Sequence, residues 1–158
     1  MKTKMRIILI GLTMGLAAAS AHSEASPPRA AATLEGTWRV EITLRRCDNW
    51  AAIGQPFPAL ASFDSAGTVV TSDGGMSPAA RGTGHGVWSR VSGRDFSATT
   101  EAFLFNGGMR TGTQQLAQEI ALENDGQTFE SIVVAKVLNT TGQTVFSGCA
   151  SSVGRRMH

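Results

Sequence analysis

The sequence contains no tyrosine, two cysteines and three histidines among its 158 residues. Each shortage excludes something. Neither Cys47 nor Cys149 has a histidine or another cysteine at short spacing, so a zinc site lacks ligands. His85 is the only histidine between His22 and His158, and no second imidazole can join it in a metal site. Basic residues never form a run: Arg45-Arg46 and Arg155-Arg156 are isolated pairs, too short to track a phosphate backbone. Gly82-Thr83-Gly84-His85-Gly86 is rich in glycine but lacks the Lys-Ser/Thr that completes a phosphate loop. Ser89, Ser97 and Ser131 stand outside any nucleophile-elbow context, which leaves hydrolase chemistry without support. There is no β-α-β spacing and no solenoid period. The apolar run Ile7–Ala19 falls well short of the roughly 20 residues that a membrane-spanning helix needs.

That short run sits in a recognisable setting. Lys2, Lys4 and Arg6 precede it, and Ala19-Ser20-Ala21 places small residues where a signal peptidase inspects the chain. Residues 1–21 therefore read as a signal peptide. No cysteine lies near the cleavage region, which argues against a lipid anchor. Removing Lys2, Lys4 and Arg6 from the 14 basic side chains leaves 11 against 12 acidic ones. The basic balance of the whole chain is thus a targeting feature, and it implies neither a nucleic-acid partner nor a membrane surface. Residues 22–34, mostly Ser, Glu, Pro, Arg and Ala with no apolar period, read as a flexible leader. The remaining 35–158 are the right size for one domain. Export to a periplasmic or extracellular space makes one disulfide the simplest use of two cysteines.

What is present is strand pattern. In Gly36–Cys47, Trp38, Val40, Ile42 and Leu44 share one face, while Arg39, Glu41, Thr43 and Arg45 share the other. That period of two predicts a half-buried strand. Asp48–Pro56 reads as a loop with the breaker Gly54-Gln55-Pro56. Pro56–Ser62 reads as a second strand with its prolines at the start or on an edge. Asp64-Ser65-Ala66-Gly67 is a hairpin-type turn into Thr68–Ser72. Asp73–Gly84, rich in glycine and carrying Pro78, is long for a hairpin loop and reads as mobile or functional. Further strands follow at His85–Val91, Asp95–Phe105, Arg110–Leu122, Thr128–Leu138 and Gln143–Arg156, separated by turn signals such as Asn106-Gly107-Gly108 and Asn124-Asp125-Gly126. Arg110–Leu122 includes good helix formers, but its flanking Thr, Gly and turn residues favour a strand.

Eight strands with short connections predict an all-β fold, an antiparallel meander closed into an up-and-down barrel. A two-sheet β-sandwich is the alternative. In a closed meander the first and last strands are antiparallel neighbours. Counting back from a Cys47–Cys149 bridge then brings Trp38 opposite the chain end, close to Arg155 and Arg156. An indole–guanidinium contact is expected there, closing one end of the barrel.

Gly36-Thr37-Trp38 opening the first strand, with an arginine on the last, resembles the calycin pattern of lipocalins and related eight-stranded barrels. The resemblance implies that the tryptophan closes one end, packs on that arginine, and leaves an interior for a small, usually apolar molecule. The acidic-and-tyrosine turn motif of lipocalins is missing. Avidin-type barrels share the Gly-x-Trp opening, but their biotin-binding Asn and Ser have no match in Arg39–Leu44.

The expected function is an exported, small-molecule-binding barrel that needs no cofactor or metal. Its interior would hold a hydrophobic or amphipathic ligand, with Asp73–Gly84 gating the open end. Trp88, Phe103 and Phe105 are candidates to line the pocket, with Gln114 and Gln118 supplying amide contacts. Two other classes stay open. One is a cyclase or isomerase using Glu101, if it points inward, and His85. The other is a packed barrel acting as a structural or protein-interaction module. Apolar residues on both faces of Asp95–Phe105 also point to a homodimer contact.

Overall fold

A computed structural model describes residues 32–158. The signal-peptide segment and residues 22–31 of the leader lie outside the described residues. The folded chain is all-β: β1 (Gly36–Arg45), β2 (Ala52–Phe63), β3 (Thr68–Asp73), β4 (Gly84–Ser92), β5 (Asp95–Asn106), β6 (Met109–Leu122), β7 (Thr128–Asn139) and β8 (Thr144–Arg156). Consecutive strands pair antiparallel and β1 pairs with β8, so one sheet closes on itself as an up-and-down barrel. A sandwich would leave two sheets with free edges, and closure excludes it. Met109–Leu122 is a strand, as its flanking turns predict.

The alternation read in β1 is the inside–outside alternation of the barrel. Trp38 and Val40 are buried, while Arg39 and Glu41 are exposed. The last β1–β8 pair is Arg45↔Cys149, and Cys47 lies two residues further on, in the following turn. Its disulfide to Cys149 spans a Cα–Cα distance of 5.3 Å. Because the bridge runs diagonally off the ladder, Trp38 pairs directly with Arg156.

β2 departs from expectation. It begins at Ala52, so the segment read as a loop is already strand. The register jumps from Ile42↔Phe57 to Leu44↔Ile53, and Gly54-Gln55-Pro56 bulge out opposite Thr43. β3 joins β2 only from Ala59↔Asp73 onward, so Pro56 and Pro58 lie on an edge stretch where a missing N–H costs no ladder bond.

One end of the barrel is filled. Leu34, Trp38, Phe63, Val69, Phe96, Ile120, Leu122 and Phe129 are all buried there. Phe129 meets Trp38 edge-on at 4.9 Å between centroids, and Phe63 meets Trp88 at 5.9 Å. Leu34, at the end of the stretch read as leader, is fully buried, and its carbonyl accepts the Trp38 Nε1–H at 2.9 Å. The Arg156 guanidinium lies 4.3 Å from the Trp38 ring centroid and donates to the carbonyls of Thr33, Glu35 and Gly126. Gly36 makes this possible. Its φ is +120°, and a Cβ there would sit 2.8 Å from Arg156 Nη1.

The β2–β3 turn carries a pH-sensitive contact. The Asp64 carboxylate accepts the hydroxyl of Thr68 and, at 2.9 Å, its N–H. These bonds, the hydroxyl first, hold the Asp64 carboxyl below its ordinary value. A depressed carboxyl adds stability above its unfolded pKa and loses it as pH falls through the folded value. Wild type should therefore exceed Asp64→Asn in melting temperature at neutral pH. The gap should close as pH falls below about 4. Thermal melts across that range check this, and a gap that grows in acid would contradict it.

Candidate functional site

Small residues facing inward leave the other end of the barrel unfilled. Ala59, Ala61, Ala135, Gly148 and Ala150 line a cavity of about 240 Å³, together with Val40, Ile42, Leu116 and Val133. Its floor is the filled end, through Phe63 and Phe129. Its upper lining includes Leu44, Ile53 and Phe146, all substantially exposed, so the cavity opens to solvent there.

Two polar groups interrupt the apolar wall. Near the floor, Gln118 Nε2 donates to Ser131 Oγ at 2.8 Å, and the Ser131 and Ser152 hydroxyls are 2.6 Å apart. Near the mouth, Arg81 is only 7% exposed. Its Nε donates to Gln114 Oε1 at 2.6 Å, and its Nη1 pairs with Asp73 Oδ2 at 3.1 Å. The glycine-rich segment puts Arg81 in this position. Ala80 accepts from Phe105 N–H and Gly82 donates to Phe103, so Ala80–Gly82 runs along β5 as a short extra strand where β4 has not begun. Asp73–Gly84 thus has an anchored half, which delivers a guanidinium to the interior.

The candidates separate by face. Gln114 and Gln118 line the cavity. Trp88, Phe103 and Phe105 do not. Trp88 belongs to the filled end, packed on Phe63 and Phe96 with Nε1 donating to Asp64 O at 3.0 Å. Phe103 points outward, 55% exposed, with the Arg110 guanidinium 5.0 Å from its ring centroid. Phe105, half-buried, packs near Gly82, where a Cβ would lie 3.7 Å from its ring. The inward residues of β5 are Phe96, Ala98, Thr100 and Ala102. Glu101 is on the outer face, directly across from His85 on β4, and accepts from Gln115 Nε2 at 2.6 Å. Both are exposed and border an open depression with Val87 and Phe103. The interior therefore holds neither of the two groups proposed for acid–base catalysis.

Arg81, Asp73 and Thr71 escaped notice in the sequence. The signal that could have found Thr71 and Asp73 is the parity of β3, where Val69, Thr71 and Asp73 share one face and turn polar toward the mouth.

The fold and cavity together define a class: closed eight-stranded antiparallel barrels with one plugged end and one open, mostly apolar interior. No protein-family model matches the chain, and no curated protein is significantly similar to it. Among the described residues no group of three or more potential metal ligands occurs. No helix there is long and apolar enough to cross a membrane.

Proposed function

We propose that this is an exported, lipocalin-like carrier that holds a small hydrophobic or amphipathic molecule inside the barrel. The observation that carries the reading is the open apolar cavity of about 240 Å³ above the Trp38 plug. Pockets for drug-sized ligands run from about 300 Å³ upward, so the ligand class is smaller, about ten non-hydrogen atoms. A fully packed interaction module would have no such void. Export is supported by the N-terminal pattern and agrees with a Cys47–Cys149 disulfide.

Organic extraction of the purified protein followed by mass spectrometry should recover a bound small molecule. Ala135→Phe fills the middle of the cavity from β7. The variant should fold, as shown by circular dichroism, and should lose the extracted molecule by at least about ten-fold. Equal recovery from both proteins would place the ligand elsewhere and defeat the reading.

A further inference from the structure

We infer that the cavity recognises its ligand by a neutral carbonyl or ester group, held at the mouth by Arg81 and Thr71. The inference rests on the carrier reading and specifies its ligand class. A guanidinium carries five N–H donors. Arg81 uses Nε on Gln114, and Nη1 on Asp73 and on Gly82 O at 3.2 Å. Nη2 has no hydrogen-bond partner among the described residues. Thr71 Oγ1, which lines the same cavity, is a buried side-chain atom without a partner. The two lie close together. Gly84 pairs with Thr71 across β3 and β4, and a methyl on Gly84 would collide with Thr71 Oγ1 and lie 3.4 Å from Arg81 Nη2. The absent side chain at Gly84 thus leaves one buried, unpartnered hydroxyl beside a guanidinium nitrogen that bonds nothing among the described residues. A buried hydroxyl without a partner is costly, and a ligand oxygen that accepts from it and from the free guanidinium nitrogen relieves that cost.

Charge decides which oxygen. The Asp73 carboxylate already neutralises Arg81, and both side chains are largely buried, 14% and 4% exposed. A carboxylate ligand would place a second negative charge beside Asp73 at low dielectric. A carbonyl or ester accepts the same hydrogen bonds with no such repulsion, and its alkyl part lies against Ala59, Ala61, Leu116 and Val133.

The test uses three probes of similar size on the full chain: ethyl hexanoate, octanoate and octane. Affinities come from calorimetry for octanoate and headspace partitioning for the other two. Wild type should bind ethyl hexanoate about ten-fold or more tighter than octanoate. Replacing Arg81 would unpair Asp73, so the variants are chosen elsewhere. Thr71→Val removes a hydroxyl that makes no hydrogen bond among the described residues. It should weaken the ester about three- to ten-fold and leave octane unchanged. Asp73→Asn keeps an acceptor for Nη1 and frees the charge of Arg81, and should raise octanoate affinity about ten-fold. Octanoate binding wild type as tightly as the ester, or an ester affinity indifferent to Thr71→Val, would overturn the head-group assignment while leaving the carrier reading standing. Failure of all three probes to bind would defeat both.

Discussion

Replacing Cys47 and Cys149 together with alanine should cost about 2–4 kcal/mol of folding stability and lower the melting temperature by roughly 10 °C. The bridge joins residues 102 apart. Cross-linking so long a loop removes much of the freedom of the unfolded chain, by close to 5 kcal/mol in the polymer-entropy treatment. The expected value is lower because real unfolded chains keep residual structure. Native contacts change little, since the β1–β8 ladder from Trp38↔Arg156 to Arg45↔Cys149 closes the barrel without the bridge. The double variant should therefore retain wild-type circular dichroism while its urea midpoint falls. Intact mass before and after reduction, differing by two hydrogens in wild type, verifies the bridge itself. A loss below about 0.5 kcal/mol would mean that the unfolded chain is not constrained as supposed.

Most of the barrel was legible because its determinants are local. The parity of β1, the turn residues and the two cysteines together point to eight strands, closure and a contact of Trp38 with Arg155 or Arg156, of which the fold uses Arg156. The start of β2 was not legible, since Gly54 and Pro56 read the same whether they end a loop or form a bulge. Pairing with β1 decides that, and pairing is not local. The site was half legible for a similar reason. β5 is apolar on both faces, so its own sequence cannot say whether Phe103 or Ala102 points inward. Phe105 is harder still, because a register shift after Leu104 breaks the alternation. Aromatic residues in a small barrel serve as filling and do not mark a pocket. A void is marked by missing bulk, here Ala59, Ala61, Ala135, Gly148 and Ala150. Arg81 was invisible because its inward path depends on Ala80–Gly82 docking along β5.

Trp38→Ala should be the most damaging single change, costing about 3–5 kcal/mol, a large part of the about 5–15 kcal/mol that holds a typical domain together. The indole has no exposed surface, donates to Leu34 O, and is wedged between Phe129 and the Arg156 guanidinium. Removing it empties the closed end and strips Arg156 of its aromatic partner. That guanidinium joins the segment before β1 to the β6–β7 turn through Thr33, Glu35 and Gly126, so the loss spreads beyond one contact. Trp38→Phe, which keeps a ring against Phe129 and loses the N–H donor and some bulk, should cost about 1–2 kcal/mol. Arg156→Lys should cost a similar amount, because an ammonium cannot reproduce the planar fork that reaches those carbonyls. In a double-mutant cycle these two changes should couple by about 0.5–1 kcal/mol, and simple additivity would deny the indole–guanidinium contact an energetic role. Trp38 does not line the cavity, whose floor is formed by Phe63 and Phe129. Trp38→Phe should accordingly lower the melting temperature and leave probe affinity within about two-fold of wild type, the reverse of Thr71→Val. A single variant that moved stability and affinity together would show that the plug and the cavity are one cooperative unit.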